Sequence, residues 1–128
     1  MELKYLGKPF NQAIDELDTI PARPGLALVT MTSDELTSVC PLTETPDYYK
    51  ASIQFVPDQH CIESKSLKLY LMHFRNEQIF AEDLVVVIRD KVVATIKPKY
   101  CKVTLVQKSR GGIVIETVSV FGQPPAAL

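Results

Sequence analysis

The sequence predicts an α+β fold in which an antiparallel four-stranded sheet carries two helices on one face. Two observations predict it. Stretches rich in apolar and β-branched residues, the clearest with a period of two, occur twice before and twice after a central block, and within that block the period lengthens to three and four. The resulting order, strand, strand, helix, helix, strand, strand, suits a layer of helices on an antiparallel sheet.

Residues 1–24 are polar and broken by Pro9, Pro21 and Pro24, and read as an irregular lead-in with one helical turn around Gln12 to Leu17. "LALVTMT", Leu26 to Thr32, is the first expected strand and leads into a loop around Cys40. In "YYKASIQFV" the residues Tyr49, Ala51, Ile53 and Phe55 alternate with polar neighbours, so they are assigned to the core face, and Pro57-Asp58 ends the strand. Leu67, Tyr70, Leu71 and Phe74 then mark an amphipathic helix of about three turns, capped by Ser64 or Ser66. A second helix is expected from Phe80 to Ile96, with Phe80, Leu84, Val87, Ile88 and Val92 as its apolar stripe. Glu82 and Asp83 suit its first turn and Lys97-Pro98 stops it. "YCKVTLVQ" and "GIVIETVSVF" form the last two strands around a Gly111-Gly112 turn, and residues 122–128 read as a loose tail. Apolar residues on both registers of these strands, such as Val106, Val114, Val118 and Val120, point to association between subunits.

At 128 residues and 46% hydrophobic content the chain is expected to form one domain. Fourteen basic and fifteen acidic residues nearly cancel, so bulk charge draws the chain neither to nucleic acid nor to membrane. The start lacks the apolar run of a signal peptide, no stretch approaches a membrane span, and the reading is cytoplasmic. Cys40, Cys61 and Cys101 lack C-x-x-C spacing, and His60 and His73 are the only histidines, so neither a disulfide framework nor a three-histidine metal site is expected.

Four stretches can carry chemistry. Cys40 stands in a loop stiffened by Pro41 and Pro46, where an exposed thiol would serve as a nucleophile; a packed, inert thiol is the plainer alternative. Asp47 is either a turn former or a nearby proton donor. Glu63 precedes a helix start holding Lys65, Ser66 and Lys68, where amides and cations together suit a phosphate. Glu82 either complements the helix dipole or accepts paired N–H donors from a purine-like edge. Arg110, in a basic hairpin turn, can reach a phosphate or a neighbouring subunit.

Together "SVCPLTETPD", "VPDQHCIESKSLKLYLMHFRN", "FAED" and "SRGG" resemble the 7-cyano-7-deazaguanine reductase family, the NADPH-dependent nitrile reductases of queuosine biosynthesis. The resemblance runs from about Thr37 to Gly122. It implies a tunnelling fold, in which copies of a two-helix, four-strand unit close into a barrel with active sites between subunits, and stacked rings for single-domain members. Cys40 matches the nucleophile that captures the nitrile as a covalent thioimide, and Asp47 the acid that protonates its nitrogen. Ile62, Glu63 and Ser64 match a substrate-binding segment, Ala81 and Glu82 the pair that holds the deazaguanine base, and Lys65, Ser66 and Lys68 the NADPH segment. Arg110 is grouped with the cofactor residues. One position departs: relatives carry histidine where this chain has Ala81, which implies weakened reduction with binding and capture better preserved. The resemblance also leaves room for an archaeosine-forming transferase acting on the nitrile in tRNA, and for a purine or pterin binder without catalysis.

Overall fold

The computed structural model describes residues 3–9, 11–126 and 128; parts of the expected lead-in and tail, residues 1, 2, 10 and 127, lie outside the described residues. Six strands and two helices follow in the order β1 (Thr19–Pro21), β2 (Val29–Val39), β3 (Pro46–Val56), β4 (His60–Ile62), α1 (Ser64–Met72), α2 (Ala81–Ile96), β5 (Tyr100–Arg110) and β6 (Ile113–Gly122). A 3-10 turn, His73–Asn76, links the helices. The principal sheet is antiparallel with strand order β2-β3-β5-β6, and β1 pairs with β4 in a separate two-stranded ribbon.

Period-two alternation builds the core as expected. Tyr49, Ala51, Ile53 and Phe55 of β3 are all buried, as are Cys101, Val103 and Leu105 of β5, and the helices cover this face. The stripe of α2 is different from the expected one. Ala81, Leu84, Val85, Ile88, Val92 and Ile96 are buried, whereas Phe80 and Val87 are exposed. Phe80 is the residue before the helix, so its extended backbone turns the ring away from the stripe. Lys97 ends α2 in the left-handed region, and its N–H closes on Val93 O.

Three further expectations need correction, and the short β1 and β4 were not among the expected strands. No helical turn forms around Gln12 to Leu17; this segment runs as bends and coil, and Asp18 fixes its end by accepting the Lys4 and Tyr5 amides. The first long strand starts at Val29 rather than Leu26 and reaches Val39, because the polar run Ser33–Ser38 is absorbed through a register shift between Ser33 and Leu36. The short β1 and β4 have too few residues to show a period. The cap of α1 is Glu63, whose carboxylate accepts from the Lys65 and Ser66 amides, and not a serine.

The β5–β6 connection is the expected glycine turn. Gly111 and Gly112 both take positive φ, the condition of a two-residue turn whose twist matches the strands. Gly122 closes the hairpin's other end opposite Tyr100. A Cβ there would meet Lys99 O at 2.2 Å, so this position admits only glycine.

Candidate active site

Cys40 lies at the first position of the loop joining β2 to β3, and the loop is held shut by its own backbone. Cys40 N donates to Thr45 O at 2.9 Å, and Glu44 N returns a bond to Cys40 O at 3.0 Å. Glu44 adopts a left-handed φ of 58°, an uncommon choice for a residue with a side chain. The thiol is not the exposed group expected from the sequence. It is 5% exposed, yet it stands apart from the hydrophobic core cluster, under the polar loop tip. The Thr43 hydroxyl, then the Thr43 and Leu42 amides, and finally Arg110 favour the thiolate there, and they outweigh burial to bring the Cys40 pKa down to about 7. Burial instead pushes Cys61 up and Cys101 up to about 11.

Asp47 faces the same end of the sheet, because it pairs with Ser38, two residues before Cys40. Its side chain is buried, and its Oδ1 accepts from Arg110 Nη1 at 2.7 Å and from Gln107 Nε2 at 3.5 Å. Arg110 thus sits on the proposed acid rather than in a separate phosphate site. Gln107 was missed in the sequence. The readable signal was its place in the period-two set Val103, Leu105, Gln107, a polar residue on an apolar face. Ser38 and Tyr49 were missed as well; their hydroxyls bond at 2.9 Å in full burial.

The start of α2 is tied to this end. Val39 N donates to Glu77 O, Ile79 N donates to Val39 O, and Ser38 Oγ donates to Ile79 O. Glu82 is exposed, and its charge together with that of Asp47 reaches the Tyr49 hydroxyl, whose pKa is raised mainly by burial. Ala81 is 2% exposed and belongs to the core cluster. His73 faces Glu77 at 4.0 Å and stacks edge-on against Phe74.

The remaining predicted residues gather elsewhere. Ile62 ends β4, and Glu63 N bonds Asp18 O. Both Glu63 oxygens cap α1, to Lys65 N at 2.7 Å and Ser66 N at 2.9 Å. Ser66 is fully buried; its hydroxyl donates to Glu63 O and accepts from Asp18 N. The phosphate site expected at this helix start is therefore filled by the chain's own carboxylate, and Ser66 has no surface to offer a cofactor. Lys65 Nζ donates to Lys8 O. Ser64 and Lys68 differ: both are exposed, and they line a cavity of about 360 Å³ with Met31, Thr32, Ser33, Leu67 and Leu71. The cleft is mostly apolar and carries one charge of each sign, Lys68 and Glu35, so it fits a flat ring and offers a phosphate one cation.

The start of α1 and the Cys40 loop lie toward opposite ends of α2. The sixteen residues of α2 span about 24 Å. Its first residues adjoin the Cys40 end, and its last, Ile96, lies beside His60 at the start of β4.

A model of the family described as QueF-like protein matches residues 46–125, beginning just after the cysteine loop. Among similar proteins, one from Syntrophus aciditrophicus is 46% identical over 76% of this chain and 69% of its own length. One from Bacteroides thetaiotaomicron is 44% identical over 70% of this chain and 60% of its own. One from Sinorhizobium medicae is 38% identical over 91% and 77%. Each is named NADPH-dependent 7-cyano-7-deazaguanine reductase. Among solved structures, an archaeosine synthase QueF-Like in its apo form superposes with a TM-score of 0.72 at 29% identity, covering 77% of this chain and 97% of that one. The α+β architecture and the sequence agree, and on a match that spans most of its length the chain belongs to the QueF-like family.

Proposed function

We propose that this protein is an NADPH-dependent reductase that converts the nitrile of 7-cyano-7-deazaguanine to an aminomethyl group in queuosine tRNA modification, in the cytoplasm, through a covalent thioimide on Cys40. The observation that carries the reading is the convergence of Cys40, Asp47 and Arg110 at one hairpin end. A thiol drawn toward thiolate beside a carboxyl group has the two functions that nitrile capture needs, a nucleophile for carbon and a proton for nitrogen. Glu82, exposed at the neighbouring helix start, is suited to accept the N–H donors of the base. When bound, NADPH supplies hydride to the captured carbon, twice for a four-electron reduction. Lys68 and Ser64, at the rim of the cleft, are the side chains that would hold it. Lys65 would join them by exchanging its contact with Lys8, whereas Arg110 stays on Asp47.

Glu63 and Ser64 stand beside β4, at the opposite end of α2 from Cys40, so the working site is taken to be assembled between subunits, as in a barrel of several copies. Exposed Val114, Val118 and Val120 on β6 supply apolar surface for that contact. The structural likeness to an archaeosine synthase favours one second reading, addition of a nitrogen donor to a nitrile carried by tRNA. A net charge of -1 gives that reading no electrostatic help.

The test is NADPH oxidation by the purified protein with and without 7-cyano-7-deazaguanine, with the aminomethyl product quantified. Two NADPH consumed per product is the expected result. No consumption, together with conversion of nitrile-bearing tRNA in the presence of ammonia, would replace the reductase with the transferase.

A further inference from the structure

Arg110 ends β5 in a position that the strand's regular pairing would not give it. Gln107 pairs with Ile115, but the next described pair is Arg110 with Ile113, so one extra residue is accommodated on β5 just before the glycine turn. Such a bulge re-aims a side chain. Here it sends the guanidinium back over the sheet to Asp47 Oδ1 at 2.7 Å, while Arg110 itself stays 41% exposed and Asp47 3% exposed. The same guanidinium lies close enough to the Cys40 sulfur for each to favour the other's charged form. Among the described residues both donors to Asp47, Arg110 and Gln107, land on Oδ1.

We propose that Arg110 is a positioning residue, one cation shared between Asp47 and Cys40, which couples the charge of the acid to that of the nucleophile. With Oδ1 fixed to the guanidinium, Oδ2 is the oxygen left to carry a proton. The capture step then balances within the chain. The Cys40 thiol proton passes to Asp47 Oδ2, sulfur bonds to the nitrile carbon, one carbon–nitrogen π bond breaks toward nitrogen, and nitrogen takes the proton from Oδ2. Asp47 is a carboxylate before and after, and Arg110 compensates it at both ends. This sequence of events rests on the reductase reading; the shared cation does not. Among the described residues the other charged groups near the loop include Glu44 within it, Glu77 beside Val39, Glu82 across Tyr49, and Lys108 on β5, whose ammonium lies 6.0 Å from the Tyr48 ring next to Asp47.

The test follows the rate of Cys40 alkylation by iodoacetamide against pH, in the protein without substrate or cofactor. The wild type should reach half its limiting rate near pH 7. Arg110→Gln should move that midpoint up, with Thr43 and Leu42 still favouring the thiolate, and slow alkylation at pH 7 about two- to three-fold. Asp47→Asn should move it down, because it removes a competing negative charge, and Arg110→Lys should fall between wild type and Arg110→Gln. Opposite shifts from two residues in one ion pair are not what a merely structural contact gives. An unchanged midpoint in Arg110→Gln, or shifts of the same sign in Arg110→Gln and Asp47→Asn, would overturn the proposal. If the wild type consumes no NADPH while these shifts appear, the reductase reading fails and the shared cation stands.

Discussion

The two ends of the molecule handle polar groups in opposite ways. At the hairpin end, Cys40, Asp47 and Arg110 depend on one another across three chain segments, with Arg110 paired to Asp47 and helping to lower the Cys40 pKa. At the start of α1, Glu63, Ser66 and Asp18 satisfy one another in a closed local set, with Glu63 capping the helix and the Ser66 hydroxyl bridging it to the lead-in. On the proposed function the first arrangement reacts, and the second holds a surface in place. Ser64 and Lys68 are the groups this second end presents outward.

The largest expected effect tests whether the two ends must meet. Cys40→Ala and Glu63→Ala are each expected to be inactive as pure proteins, the first for want of the nucleophile and the second because the helix start loses its cap. Refolding the two variants together should restore measurable product, since a mixed interface can pair an intact hairpin end with an intact helix start. Absence of any recovery from a mixture shown to contain mixed oligomers would place both ends in separate tasks. Next in size is Asp47→Asn, which keeps the shape but has no proton to deliver. Turnover should fall about 10²–10⁴-fold, with Cys40 still open to alkylation. A fall of less than ten-fold would remove Asp47 from the chemistry.

The contrast also explains what the sequence could and could not reveal. The strands and helices were legible because burial imposes a period, as in Tyr49, Ala51, Ile53 and Phe55, and because Lys97-Pro98 gives a helix a physical stop. The Cys40 loop was legible for its prolines. What failed to show was long-range pairing. Nothing local says that Arg110 reaches Asp47 across sixty-three positions, or that Asp18 fixes Glu63 and Ser66. The serine-rich helix start offered Ser64 and Ser66 as caps, and only the fold decided for Glu63. Burial of Cys40 was hidden for the same reason, since the groups that cover it come partly from outside its own segment.

Ala81 gives a smaller effect that sharpens the comparison. From sequence, Ala81 stands where the resembled family carries histidine. Its methyl group is packed in the core at the first turn of α2, so Ala81→His has to displace neighbours. A stability loss of about 1–3 kcal/mol is expected, read as a lower urea midpoint with an unchanged slope. An unchanged midpoint would mean that the position opens toward the hairpin site.

The smallest effect concerns Ser66. Its hydroxyl donates to Glu63 O at 2.7 Å and accepts from Asp18 N at 2.9 Å, and it exposes no surface. Ser66→Ala should therefore cost about 1 kcal/mol of stability through the lost hydrogen bonds, while the KM for NADPH stays at the wild-type value. Lys68→Ala should behave in reverse, raising that KM with little change in stability, because its charge is exposed at the rim of the cleft. Were Ser66→Ala to raise the KM as much as Lys68→Ala, the helix start would have to open when the cofactor binds. The distinction between a reactive end and a holding end would then be a property of the free protein alone.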